Sequence, residues 1–410
     1  MTYVFLPPVY RLERFCAPAA LIVTMQMFQP NRFYAVDRPR HCVAMALIFC
    51  MGVCSSHCEA AGLIRVSDGR SAYEGKVVAL TDSTCSLIDR QGQLLRLPVR
   101  SLKSFQKIAP RYRPFDTNEL RDSLKTEFGS NYEVAGTTHY LVCGPTGRAS
   151  RYAELFEAIY RDVEHFYRVR GFPIVAPEVP LQAVVFRTQK EFVSYCLRDQ
   201  VPPSPGLMGY YSLKTNRVAL FDNPSLVSDS GRIHVSAGSV AAMSAISGDT
   251  ADTIIHETTH QVGYNIGVHS RLGGTPIWIV EGLATVLEPS GMRSNTGRQR
   301  LEDRLNAERI NWFRKQHRPD RQMGHLAKLV ASDAFFHQQT LDSYSESWAF
   351  TFFLLENAAR RRDLVTYLQT IAKRDPAQEY SARDRLSDFQ TAFGDISRLE
   401  VEFVRYMDRL

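Results

Sequence analysis

Cysteine is scarce in this chain. Its 410 residues include eight, and five of those (Cys16, Cys42, Cys50, Cys54 and Cys58) lie within the first 60 positions. Only Cys85, Cys143 and Cys196 follow. Three scattered thiols make neither a disulfide framework nor a cysteine metal knuckle, so they read as buried apolar residues with room for one disulfide at most. Charge of one sign is also lacking. The net charge is +6, and the first 60 residues hold five Arg against three Asp or Glu, which leaves +4 for the rest. The one basic run, Arg360 to Arg362, suits a solvated helix end. No nucleic-acid partner is expected. Long hydrophobic runs are missing too: the clearest, Cys42 to Cys54, has 13 residues, short of the roughly 20 that a membrane-spanning helix needs. An apolar fraction of 44% and a charged fraction of 22% are ordinary for a globular chain of two or three domains.

Residues 1–60 read as a leader. Arg38-Pro-Arg-His41 is a basic n-region, Cys42 to Cys54 an apolar core, and Cys58-Glu-Ala60 a small-residue cleavage site before Ala61. The extension ahead of it implies a long n-region or a later start, at Met25 or Met27. Apolar residues 17–28 leave a hairpin anchor as the alternative. The expectation is export to the periplasm or the extracellular space, with no stable membrane span after processing.

Residues 61–108 read as a small β module. Strands are expected at 75–80, 85–89 and 94–98, separated by the turn clusters Thr81-Asp-Ser-Thr84 and Arg90-Gln-Gly-Gln93. One helical turn is expected over 99–105. The segment resembles an SH3-like barrel of the Sla homology-domain type. That resemblance implies either a peptide-binding module or a structural appendage, because fold alone does not give function. Residues 109–115, with two prolines, read as a linker.

The chemistry concentrates between Asp249 and Glu288. His256-Glu-Thr-Thr-His260 places two imidazoles at i and i+4, on one face of a helix, with Glu257 between them. Two such histidines can share one metal ion, and the glutamate can take a proton from a water on that metal. Asp249 and Asp252 suit the helix start, and Gly267 suits its end. Glu281 lies 21 positions after His260 and opens a second apolar helix, 277–287, so a third ligand is at hand.

HETTH followed by EGLA resembles the gluzincins, the thermolysin-like and aminopeptidase-like zinc peptidases. The resemblance implies one zinc ion held by His256, His260 and Glu281. Glu288 matches the position where related aminopeptidases keep an acid that orients a zinc histidine. Thr285 stands where thermolysin has an aspartate. Tyr344, 63 positions past Glu281, lies at a distance comparable to that of a transition-state tyrosine. His269 and Arg271 are weaker alternatives for that role. HYLVCGPTG, PLQAVVF, GYYSLKTNRVALFD, WIVEGLATVLEP and YSESWAFTFFLLE occur in this order over 115–410. The series resembles a domain-of-unknown-function family of secreted gluzincin-like proteins, whose activity is inferred from its motif.

The implied architecture is α+β: a gluzincin-like domain over 116–410, helical from about 277, behind the β module. Asp116-Thr-Asn-Glu119 reads as a capping box. Strands are expected at 132–135, 139–143 and 180–186, with helices at 149–170 and 190–198. Residues 209–221 read as a hairpin. By analogy with the gluzincin sheet edge, Tyr210, Tyr211 and Arg217 are candidate cleft residues. A surface loop is expected at 224–248. Helices are expected at 296–317, 324–331, 342–358 and 363–373, with two more to the C-terminus. Trp312, Phe313, Trp348, Phe350, Phe353, Leu354, Tyr367 and Phe403 are their expected core.

Two functions follow. The first is a secreted zinc metallopeptidase acting on a peptide or protein substrate, with Glu257 as base and Tyr344 as oxyanion donor. The absence of a separate amine-binding motif upstream favours endopeptidase action. The second is a catalytically silent, zinc-stabilised binding or adaptor protein of the cell envelope. An intact Glu257 argues against it, since a structural zinc needs no base. If the leader is read correctly, N-terminal sequencing of the exported protein will begin near Ala61. A sequence beginning at Met1 or Met25 would remove the signal-peptide assignment.

Overall fold

The computed structural model describes residues 61–204, 206–222, 248–294 and 299–410. The leader and all but Gly248 of the loop expected over 224–248 lie outside them. The protein is mixed α+β, with two sheets first and a helical half after them.

Five strands build the first sheet: β1 (Leu63–Ser67), β2 (Ala72–Leu80), β3 (Thr84–Asp89), β4 (Leu94–Pro98) and β5 (Ser104–Ala109). Their order is β4-β3-β2-β1-β5, and every pairing is antiparallel. Sequence reasoning found only the middle three. The helical turn it expected is present at Val99–Ser101, but the chain then extends again and pairs with β1. Alternation is weak in β5, where four of the six side chains are exposed. The core of this sheet is small, centred on Ile64, Val66, Cys85 and Leu87.

This module is not pendant. The turn between β3 and β4 reaches the second sheet. The carbonyl of Gln91 accepts from Gln182 Nε2 at 3.0 Å, and that of Gly92 accepts from Arg271 Nη1 at 2.9 Å. The Leu94 amide donates to the Lys214 carbonyl at 2.7 Å. Gly92 has φ +85°, and a Cβ there would stand 2.8 Å from Val179 Cγ2, so only glycine fits the turn and its neighbour together.

Next come α1 (Thr117–Phe128), β6 (Tyr132–Gly136), β7 (Tyr140–Pro145), α2 (Ala149–Val169), β8 (Leu181–Phe186), α3 (Gln189–Arg198), β9 (Gly209–Ser212) and β10 (Arg217–Phe221). The capping box forms as expected: Asp116 accepts from the Asn118 and Glu119 amides, and Glu119 reaches back to the Asp116 amide. The second sheet runs β6-β7-β8-β10-β9. Its centre is parallel (β7-β8-β10), and both edges are antiparallel. Both faces are covered. Tyr140, Val142, Ala183, Val185, Tyr211 and Val218 pack with α2 on one side. Leu141, Cys143, Val184, Tyr210 and Ala219 pack with α1 and α3 on the other.

α4 (Gly248–Asn265) lies on the α2 side, and α5 (Ile277–Leu287) packs behind it. Short turns follow at Ser290–Arg293, Leu301–Arg304 and Ala307–Trp312, then a π turn at Phe313–His317 and a last turn at Arg318–Asp320. The single helix expected over 296–317 is therefore broken. Leu305 takes an extended conformation and Asn306 caps a fresh start. Trp312 is half-buried, its indole donating to Asp342 at 2.8 Å; the other seven aromatic and aliphatic residues expected in this core are buried. α6 (His325–Ala331), a short helix at Ala334–Gln338, α7 (Thr340–Leu355), α8 (Ala358–Ala372), α9 (Ala382–Phe393) and α10 (Ile396–Met407) complete the chain. Among the described residues, no helix is long and apolar enough to cross a membrane. Cys85, Cys143 and Cys196 are buried free thiols.

α5 and α7 pack closely against each other at Gly282. A Cβ on Gly282 would stand 2.7 Å from the Ser347 carbonyl and 3.0 Å from Thr351 Cβ. Gly282→Ala must push these helices apart, a kind of overpacking that costs about 1–3 kcal/mol. Urea denaturation of the variant should show that loss, and an unchanged midpoint would contradict the packing described.

Candidate metal centre

α4 is held to the sheet by amide side chains one turn apart. Gln261 Nε2 donates to the carbonyls of Gln182 and Asn216, each at 2.8 Å, and Gln261 Oε1 accepts from the Tyr140 hydroxyl at 2.9 Å. Asn265 and Asn216 exchange two amide hydrogen bonds of 2.8 Å. Asn216 sits in the hairpin turn at φ +59°, a conformation asparagine tolerates better than most residues. Fixed in this way, the helix turns His256 and His260 toward α5.

Glu281 meets them there. His256 Nε2 and His260 Nε2 are 3.0 Å apart, and Glu281 Oε2 is 3.2 Å from the first and 3.6 Å from the second. All three residues are about 1% exposed. Tetrahedral zinc with bonds of about 2.0–2.1 Å spaces its ligand atoms about 3.3 Å apart, so this triangle has the dimensions of one tetrahedral face. Glu281 is buried, with its Oε2 facing both imidazole nitrogens. Two ring nitrogens and a carboxylate oxygen turned toward one point are a set that a cation can complete. The donor set fits a divalent metal of the zinc kind.

Around the triangle the charges are strongly perturbed. Burial alone would lower the pKa of His256, but hydrogen bonds to Glu281 and Glu288 and their charges raise it to about 10. Burial also acts on Glu281, upward; the charge of His260 and the hydrogen bonds from both histidines outweigh it and hold that carboxyl at about 2. For His260, burial prevails and the pKa is lowered.

Glu288 takes the supporting position expected of it. Its Oε1 lies 2.8 Å from His256 Nδ1, which leaves Nε2 for the metal. Its Oε2 accepts from Asn306 Nδ2 at 2.5 Å. Arg293 caps the end of α5 by donating to the carbonyls of Leu287 and Glu288. Asn306 and Arg293 were missed by sequence reasoning, and no spacing rule points to them, because they arrive from irregular turns. Thr285 does not orient a histidine. Its hydroxyl turns back to the carbonyls of Glu281 and Gly282, at 2.7 and 3.1 Å, as a short hydroxyl within a helix readily does.

Glu257 is buried beside the triangle. Its Oε2 accepts from the Tyr211 amide at 2.6 Å, and its Oε1 has no hydrogen-bond partner among the described residues. Burial, with the charges of Glu281 and Glu288, pushes its carboxyl up to about 8, against the opposing influence of His256 and the Tyr211 amide. Tyr344 also faces the site. Burial raises its phenol well above the usual range, and the charges of Glu281 and Glu257 and a hydrogen bond to Glu281 raise it further. The structure thus brings together five of the expected residues, plus Glu288 behind them.

Other expectations are corrected. The edge strand is β9, the first of the hairpin, and β10 lies inside the sheet. Tyr210 and Tyr211 are fully buried, their hydroxyls bound to Asp199 and Asn216. Arg217 pairs with Glu127 at 2.7 Å on the opposite face. None of the three turns its side chain to the His-His-Glu cluster; Arg217 lines a pocket on the other face with Glu127 and Asp199, and only the Tyr211 backbone contributes. Arg271 is directed at the carbonyls of Leu213 and Gly92, away from the metal ligands. His269 packs on Tyr264, and burial with the neighbouring His260 holds its pKa down at about 3.

Mixed α+β architecture and a buried His-His-Glu cluster define the class to which the site belongs: a helical centre beside a covered sheet, with side chains that could hold a metal. Residues 250–378 match the model of a family described as Protein of unknown function (DUF1570). The matched segment is shorter than the 115–410 over which resemblance was expected, and it contains every side chain of the centre but not Tyr211, whose amide holds Glu257. No curated protein matches the chain.

A raised His256 pKa has a measurable consequence. Its ring must be neutral to bind metal, and the neighbouring Glu257, held up at about 8, ionises beside a cation, so zinc uptake at pH 7 should release between one and two protons and affinity should rise with pH from 7 toward 10. Calorimetry in buffers of different ionisation enthalpy reads this directly. Glu288→Gln should weaken zinc about 10–100-fold; proton-independent binding would refute the arrangement.

Proposed function

We propose that this protein is a zinc-dependent peptidase of the gluzincin kind, exported, that cleaves peptide bonds in a peptide or protein substrate. The observation that carries the reading is Glu257. A structural metal site needs only ligands, yet here a buried carboxylate stands beside them, anchored through one oxygen and unpartnered at the other. Zinc held by His256, His260 and Glu281 would polarise the scissile carbonyl and lower the pKa of the attacking water.

The chain's own groups do the rest. The Tyr211 amide fixes Glu257 in one orientation, so its free oxygen faces the reacting centre. A carboxyl raised to about 8 without metal is a competent proton acceptor near neutrality, and a cation on the neighbouring ligands pulls it back toward the ionised form. Glu257 takes the water's proton and delivers it to the departing amine. Tyr344, kept protonated by burial and two acidic neighbours, donates to the developing oxyanion. Arg309, stacked 5.8 Å over its ring, helps to hold it.

The β module belongs to this reading as a support. Its strand order, with the last strand returning beside the first, favours the SH3-like assignment. Arg271 joins its β3–β4 turn to the end of the edge strand that positions Glu257. A structural role is therefore favoured over a free adaptor.

Three variants test the mechanism, with zinc content and turnover of a peptide library as readouts. Glu257→Gln should keep zinc and lose about 10²–10⁴-fold in rate. Tyr344→Phe should keep zinc and lose on the order of 10²-fold. Glu281→Gln should weaken retention of the zinc at this centre. Should Glu257→Gln cleave peptide as fast as the parent, the peptidase reading falls and the zinc-stabilised binding protein replaces it.

A further inference from the structure

The helical half contains a second convergence of imidazole and carboxylate, on the opposite side of α7. His317 closes the π turn, His325 opens α6, and Glu346 lies on α7 two residues past Tyr344. His317 and Glu346 are buried, and the His325 side chain is 12% exposed. One ligand-capable atom of each lies within 4.8 Å of the others. Nε2 of His317 contacts Glu346 Oε2. Nδ1 of His325 is 2.7 Å from the same oxygen but is out of line for a hydrogen bond. Two rings therefore crowd one carboxylate oxygen, and one of them is not satisfied by it.

The surroundings are those of a supported site. Arg321 holds the other Glu346 oxygen through Nε at 3.1 Å and Nη2 at 2.6 Å. Asp342 Oδ2 lies 3.7 Å from His317 Nδ1, on the side of the ring away from Glu346. A carboxylate behind a histidine and a donor behind a glutamate are the usual outer partners of metal ligands. Charge points the same way. Arg321 serves both Glu346 and Glu400, the latter at 2.7 Å, and Asp342 adds a third negative group. The amides of Gly324 and Leu326 ease Glu400 alone. With neutral histidines, Glu346 and Glu400 set against Arg321 leave about one buried negative charge, with the partly exposed Asp342 beside it, and an unbalanced buried charge is costly without a counter-charge. A polar cavity of about 300 Å³ opens on His317, His325 and Asp342, with room for water.

We propose that His317, His325 and Glu346 form a second metal site, for a divalent cation of the zinc kind, with water from the cavity completing its coordination. Two imidazoles and a carboxylate are a donor set that suits zinc. A π turn places His317 here, and π turns recur at functional sites. The proposed role is structural: the ion ties the π turn, α6 and α7 together, and α7 carries Tyr344 on its other side. Nothing in this inference depends on peptidase activity.

Metal stoichiometry decides it. The full chain is stripped with chelator, equilibrated by dialysis against zinc chloride, and its zinc measured by elemental analysis. The parent should bind two zinc ions, His325→Ala one, Glu281→Gln one, and the double variant none. His325→Gln, closer in size, serves if the alanine variant does not fold; circular dichroism checks each. Asp342→Asn should weaken the second ion about 10–100-fold. Equal zinc content in the parent and the His325 variants overturns the proposal. If the parent binds one ion and His325→Ala none, the second site stands and the His256 centre fails.

Discussion

Helices α5 and α7 can lie against each other only because residue 282 has no side chain. A Cβ there would collide with the Ser347 carbonyl and Thr351. That approach sets where Glu281, the preceding residue, meets the histidines of α4, and it brings Tyr344 from α7 to the same point. The His-His-Glu triangle, with sides of 3.0, 3.2 and 3.6 Å, lies where α4 meets α5, and Gly282 lets α7 come close behind α5. Burial makes the geometry consequential. In a site about 1% exposed, an imidazole between two carboxylates and a carboxylate beside two others cannot keep their ordinary proton affinities.

The second sheet acts on the site through its backbone. β9 lends one amide, that of Tyr211, and the amide groups of Gln261 and Asn265 fasten α4 to the sheet and hairpin. The β module in turn grips the end of β9 through Leu94 and Arg271. A line of hydrogen bonds therefore runs from the N-terminal module to Glu257. α7 has a comparable position in the helical half, with one acidic cluster on each side and charged side chains buried in both.

The centre was legible in the sequence because it is local. His256, Glu257 and His260 lie within two helical turns, where spacing alone puts two rings on one face. Glu288 follows Glu281 by seven residues, two turns on, and it fell where the resemblance to aminopeptidases implied an orienting acid. Thr285 was misjudged for a local reason: a hydroxyl in a helix has nearer acceptors in its own backbone. Tyr210, Tyr211 and Arg217 were misjudged for a tertiary one. The alternation of a strand tells which residues share a face, but not that helices cover both faces or that Arg217 lies on an inner strand.

The amino-acid sequence by itself determined the mixed α+β class, the capped helices, the hairpin, the buried thiols and the motif that brings two imidazoles together. Each depends on side-chain period or turn chemistry over fewer than about 20 residues. Only the tertiary structure decided the rest. It recruited Asn306 and Arg293 to Glu288, sent Arg271 to the β module, returned β5 beside β1, broke the helix expected over 296–317, and gathered His317, His325 and Glu346. Those contacts join segments whose relative positions follow from how helices and sheets pack, and no periodicity along the chain encodes them.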